Sequence, residues 1–164
     1  MHNTYKIIAL YQDSINRVNH LRHLSEEQWR TPIAEDKWSI AEVIGHLILW
    51  DKFVINDRLP FIFEGKELPK SPNVHETNAQ ASFISIRRSK EKTIAEFVSV
   101  RQVLIGRINE LDERVWLDEF AIGTTMMSLF TYLSGLIEHD EHHFSQIENV
   151  LKEKNDSQGK CFFG

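Results

Sequence analysis

Apolar residues recur along this chain at three- and four-residue steps, with polar residues filling the positions between them. Tyr5, Ile8, Tyr11, Ile15, Val18 and Leu21 form such a stripe, separated by Lys6, Asp13, Asn16 and Arg17, and predict a first amphipathic helix over residues 4–24. Ser25-Glu26-Glu27-Gln28 has capping-box spacing and predicts a short turn ending at Pro32, followed by a polar connection over residues 33–37. Trp38-Ser39-Ile40-Ala41-Glu42-Val43 is a stronger signal. Ser39 can accept from the amide of Glu42 while Glu42 reaches back, and Trp38 can pack on Val43 as a hydrophobic staple. The second helix is therefore predicted from Ile40 to about Leu59, where Pro60 disfavours helical geometry in the residue before it. Its stripe is Val43, Leu47, Trp50 and Val54, and His46 lies on it.

Residues 60–73 hold three of the four prolines and Gly65, and read as a long connection with room for a turn of helix, the segment expected to move or to cover a site. Helical spacing resumes near Thr77, with a break expected at Arg88-Ser89, where Ser89 can cap a new start. Ile94, Phe97, Val98, Arg101, Leu104, Ile105 and Ile108 mark a third long helix to about Leu111, and residues 112–123 read as another connection. A fourth helix is predicted from Thr124 or Thr125 to about Lys154, with Leu129, Tyr132 or Leu133, Leu136, His139, His143, Ile147, Val150 and Leu151 inward. Strand-like alternation is nearly absent. Four long helices with two long connections predict an all-α four-helix bundle. Residues 1–154 read as one domain and 155–164 as a tail, polar and then apolar at Cys161-Phe162-Phe163.

Composition narrows the function classes. A chain of 164 residues can bury a core without disulfides, and its 41% hydrophobic content suits an ordinary globular protein. A net charge of -5 argues against a nucleic-acid surface. The lone Cys161 fits a reducing compartment, no signal region is evident and no apolar run approaches membrane-spanning length, so a cytoplasmic protein is expected.

The chemistry concentrates in Glu138-His139-Asp140-Glu141-His142-His143. At about 100° per residue His139 and His143 share a face, whereas His142 points away. His46 lies on the inward stripe of another helix, and helices about 8–10 Å apart let inward imidazoles meet. Three imidazoles on one side of an ion leave the other side open to water or substrate. A lone inward histidine is more often a packed, hydrogen-bonded ring, but three together are hard to satisfy in a core. The stretch also approaches the zinc-protease pattern H-E-x-x-H. Asp140 stands where that pattern has Glu and is one methylene shorter, which argues against peptidase chemistry. Glu42, Asp51, Asp140 and Gln146 are candidates to orient imidazoles or move protons, with Asp140 and Gln146 as readily solvated, and Trp50 either lines the pocket or packs in the core.

Trp38-Ser39-Ile40-Ala41-Glu42-Val43-Ile44-Gly45-His46-Leu47, followed by His139-Asp140-Glu141-His142-His143-Phe144-Ser145-Gln146-Ile147, resembles the DinB-like superfamily, which includes the YfiT-like proteins. The resemblance implies a four-helix bundle, often a homodimer, whose metal ligands correspond to His46, His139 and His143. It implies one divalent ion, zinc or nickel first and iron, manganese or cobalt otherwise. It also brings in S-transferases that use a low-molecular-weight thiol such as bacillithiol or mycothiol.

The first expectation is a metal-dependent transferase or hydrolase acting on a small molecule, with neither nucleic acid nor membrane as partner. The alternative is a non-catalytic dimeric helical module with a structural metal, and a metal sensor or store ranks below both.

Overall fold

The structure is a computed structural model, and it describes residues 2–64 and 68–160. Its elements in chain order are α1 (His2–His20), α2 (Glu26–Trp29), α3 (Ile40–Phe53), α4 (Leu59–Glu64), α5 (Val74–Arg87), α6 (Lys90–Asn109), a hairpin of β1 (Glu119–Ile122) and β2 (Thr125–Ser128), and α7 (Leu129–Lys160). Helices α1, α3, α6 and α7 form a four-helix bundle, with α5 laid along α3. The interior falls into two apolar clusters. Trp29, Ile40, Val43, Ile44, Leu47, Ile94, Phe97, Phe144 and Ile147 fill one, and Ile7, Tyr11, Val54, Leu104, Ile108, Leu129 and Leu133 belong to the other.

The start of α3 is built as its sequence implies. Ser39 accepts from the Glu42 amide and Glu42 accepts from the Ser39 amide, while half-buried Trp38 packs on the cluster that contains Val43. Ser25 and Gln28 form a second capping box at α2. Ser89 caps α6, so the expected break at residues 88–89 separates two distinct helices.

Four expectations are corrected. The helical path does not stop at Leu59: a π turn, Val54–Arg58, carries it into α4, with the Leu59 amide bonding to the Val54 carbonyl. Pro60 brings no amide hydrogen, so it is tolerated in the first turn that follows. Helix α5 starts at Val74, earlier than Thr77, because Asn73 accepts from the amides of His75 and Glu76. The fourth helix begins only at Leu129, since residues 119–128 form the antiparallel hairpin. Ile122 pairs with Thr125 around a two-residue turn, and Gly123 supplies the positive φ of 60° that such turns require. At its other end α7 runs to Lys160, into the segment read as a tail; Cys161-Phe162-Phe163 lies outside the described residues. Among the described residues no helix is long and apolar enough to cross a membrane.

Candidate metal centre

Helix α3 delivers His46 and α7 delivers His139 and His143 to one point. The Nε2 atom of His139 lies 3.3 Å from that of His46 and 3.2 Å from that of His143. One ligand atom from each ring lies within 4.8 Å of the other two. Two nitrogens bound to one ion at about 2.0–2.1 Å and a tetrahedral angle sit about 3.3–3.4 Å apart, so the spacing fits a shared cation.

The outer nitrogens say which lone pairs face inward. His46 Nδ1 is 2.9 Å from Asn78 Oδ1, and His143 Nδ1 is 3.0 Å from Gln146 Oε1. An amide carbonyl only accepts, so in the tautomer that satisfies these contacts each Nδ1 carries the hydrogen and each Nε2 presents a lone pair. Trp50 Nε1 also lies 3.2 Å from His46 Nδ1. A neutral ring nitrogen cannot both donate and accept, and the shorter bond to Asn78 is the one that frees Nε2 toward the cluster. His139 can donate its single Nε2 hydrogen to only one of its neighbours, so the three rings cannot all satisfy one another. A cation at their centre satisfies all three.

Electrostatics keep the rings ready. Burial, then the neighbouring imidazoles His143 and His139, lowers the His46 pKa to about 4. The same two causes, burial first and His139 next, lower that of His143. His46 therefore stays neutral and able to donate a lone pair well below neutral pH, and His143 is biased toward the same neutral form. The His139 side chain is 43% exposed, which leaves the cluster open on that side.

Beneath the histidines lies a charged trio. Arg101, fully buried on α6, donates through Nε to Asp51 Oδ2 at 2.7 Å and through Nη1 to Asp140 Oδ2 at 2.5 Å, with Ser14 Oγ 3.2 Å from Nη1. Burial, with Asp140 adding to it against the pull of Arg101, lifts the Asp51 carboxyl to about 7. Asp140 is also buried, but Arg101 and His139 outweigh that cost and hold it below its ordinary value. Asp140 Oδ1 stands 3.9 Å from His139 Nδ1. A cavity of about 470 Å³ opens here, lined by the three histidines, Asp51, Asp140, Asn78 and Tyr11, with apolar walls that include Trp38, Leu47, Trp50, Val54 and Leu136.

The sequence-predicted residues thus have different positions. His46, His139 and His143 come together, Gln146 holds His143, Asp51 and Asp140 lie below, and Trp50 lines the cavity. Exposed His142 sits at the edge, its ring 5.7 Å from that of His143. Glu42 is elsewhere: its carboxylate is taken by Ser39 and Ser82 and it does not line the cavity. The described part of the 60–73 connection lines a different cavity, with Arg58 and the hairpin, while Val74 and Asn78 of α5 border the histidines. Asn78, Tyr11 and Arg101 were not legible as site residues. Arg101 did leave a trace, as the one charge in the apolar series of α6.

Helix α5 reaches His46 because Gly45 lets it come close. A Cβ at Gly45 would lie 1.8 Å from Ser85 Oγ and 3.1 Å from Ser85 Cβ. Arg30 fixes the far end of α5 by donating to the carbonyls of Ser85, at 2.7 Å, and Arg88, at 2.8 Å.

The sequence profile of the DinB superfamily matches residues 12–147, a span containing the three histidines and all the groups around them except Tyr11. YfiT from Bacillus subtilis, described as "a probable metal-dependent hydrolase with an unusual four-helix bundle topology", shares the fold with a TM-score of 0.80. The two are 15% identical over 93% of this chain and 87% of that chain. No protein of curated function matches the chain. At that identity the likeness to YfiT carries the fold alone, and it is the profile, spanning most of the sequence, that places the protein: the chain belongs to the DinB superfamily.

Proposed function

We propose that this protein is a divalent-metal-dependent enzyme that activates a small thiol or water for transfer to, or hydrolysis of, a small molecule. His46, His139 and His143 are its ligands. The observation that carries this reading is the convergence of three Nε2 atoms at 3.2–3.3 Å spacing, with the outer nitrogens of His46 and His143 held by amide carbonyls. A divalent ion held by neutral imidazoles lowers the pKa of a bound water or thiol, making hydroxide or thiolate available near neutral pH.

The chain's own groups do the rest. Asn78 and Gln146 fix two ring orientations, and Asp140, anchored by Arg101, stands beside the third. Trp38, Leu47, Trp50, Val54 and Leu136 limit water around a bound molecule and strengthen polar interactions there. Among the described residues no cysteine or serine lines the cavity, which suits a nucleophile supplied from outside, water or a small thiol. A low-molecular-weight thiol as co-substrate, a reducing cytoplasmic setting and a homodimeric assembly belong to the same reading, and so do zinc or nickel as the metals expected first.

Metal analysis of protein purified without a polyhistidine tag tests it. One equivalent of divalent metal is expected, lost in His46→Ala and His139→Ala; unchanged metal content in both variants would sink the site. Incubating the metallated protein with an electrophile, with and without small thiols, divides the two chemistries. Equal product without thiol rules out transfer.

A further inference from the structure

The cavity beside the histidines has a second polar end, and its chemistry is opposite to that of the metal ligands. Asp51 is five residues beyond His46 on α3, about 7.5 Å along the axis at 1.5 Å per residue. Asp51 and Asp140 both line the cavity, and each is only slightly exposed. Arg101, approaching from α6, engages Oδ2 of each carboxylate and does not itself line the cavity. Asp51 Oδ1 remains an acceptor, and Asp140 Oδ1, 3.9 Å from His139 Nδ1, keeps a further lone pair. Tyr11 also lines this cavity, 2% exposed, and among the described residues its hydroxyl has no hydrogen-bond partner. One guanidinium thus serves two buried carboxylates, and with both ionised, above about pH 7, the three groups together carry one net negative charge.

A ligand group arriving there meets acceptors and negative charge. A hydroxyl or amine can donate to a carboxylate oxygen in this half-dry setting, a methyl group gains nothing from it, and a carboxylate is repelled. The remaining walls of the cavity are mostly apolar.

Resting on the metal-site reading above, we infer that the co-substrate is a short, apolar-bodied thiol or alcohol-like molecule whose far end is a non-anionic hydrogen-bond donor, a hydroxyl or an amine, received by Asp51 and Asp140. These two carboxylates select the ligand, while the histidines hold the metal.

The test uses the full-length protein loaded with cobalt(II) and four thiols on the same three-carbon body: 1-propanethiol, 3-mercapto-1-propanol, 3-amino-1-propanethiol and 3-mercaptopropanoate. Their affinities are read from the visible spectrum of the cobalt form. The hydroxyl- and amine-ended thiols are expected to bind roughly ten-fold tighter than 1-propanethiol, with 3-mercaptopropanoate weakest. In Asp51→Asn, the advantage of the amine over the alkyl end and the penalty on the carboxylate both shrink while cobalt content holds. The panel on the unmodified protein decides the matter even if that variant does not fold. Equal affinity across the four, tightest binding of the carboxylate, or binding of none by the cobalt-loaded protein overturns the inference and leaves the metal site standing. Failure to take up cobalt is a separate result that overturns the metal-site reading and this inference with it.

Discussion

Replacing Gly45 by alanine tests whether the contact between α3 and α5 sets up the metal centre. The added methyl would meet Ser85 Oγ at 1.8 Å and Ser85 Cβ at 3.1 Å, with the Ala81 carbonyl at 3.4 Å. Rotation of the serine clears the first clash but not the second. Ordinary carbon contacts lie at about 3.5–4.0 Å, so α5 must retreat by roughly 0.4–0.9 Å. Overpacking of this kind costs about 1–3 kcal/mol, against which alanine recovers about 1 kcal/mol of helix propensity, for a net loss of ~0–2 kcal/mol. The larger effect falls on the site. Asn78 lies seven residues before Ser85 on the same helix, and its bond to His46 Nδ1 is 2.9 Å long. Carried through in full, the retreat stretches that bond to roughly 3.3–3.8 Å, at or beyond the limit of a useful hydrogen bond. Loss of an outer hydrogen bond to a metal-ligating histidine lowers metal affinity about 10–100-fold. Zinc affinity from chelator competition, alongside urea unfolding of the metal-free protein, should show a large binding defect with a small stability defect. Adding Ser85→Gly should restore binding. Wild-type zinc affinity in Gly45→Ala, or no recovery in the double variant, would refute the coupling.

Two further outcomes follow from the buried charges. Arg101→Met leaves Asp51 and Asp140 buried without their shared cation and should cost about 3–5 kcal/mol in urea unfolding, less when Asp51→Asn is already present; additive losses would contradict a shared ion pair. The His46 pKa is depressed from 6.5 to about 4 on folding, so the unfolded chain binds the extra proton between those values. Its contribution to stability is present above pH 6.5 and is lost as pH falls toward 4, by about 3 kcal/mol in the metal-free protein. Comparing wild type with His46→Gln at both ends of that window isolates the group, and a pH-independent difference between the two proteins would disprove the assignment.

The parts of this molecule legible from sequence are those in which a local rule and the tertiary contact agree. The start of α3 is specified by Ser39 and Glu42, three residues apart, and the structure builds that capping box as the sequence implies. The three histidines are legible for the same reason: helix periodicity puts them on inward stripes and the bundle brings those stripes together. The hairpin is different. Thr125-Met126-Met127-Ser128 shows no apolar alternation and runs directly into the apolar start of α7, so periodicity reads it as more helix. Only Gly123 hints at the turn. The extension past Pro60 depends on a π turn, which shifts hydrogen bonding by one residue and has no pattern of its own. Asn78 was hidden because its role arises across a helix contact permitted by the missing side chain of Gly45, a relation between residues 33 positions apart.

The amides of Asn78 and Gln146 also set the character of the centre. A carboxylate in either place would share the imidazole proton and push electron density through the ring toward an ion, blunting its Lewis acidity. Carboxamides orient the rings without donating charge and do not titrate. Two of the three proposed ligands therefore stay weakly donating across the physiological pH range, and an ion held between them would keep more of its polarising power for whatever occupies its open side.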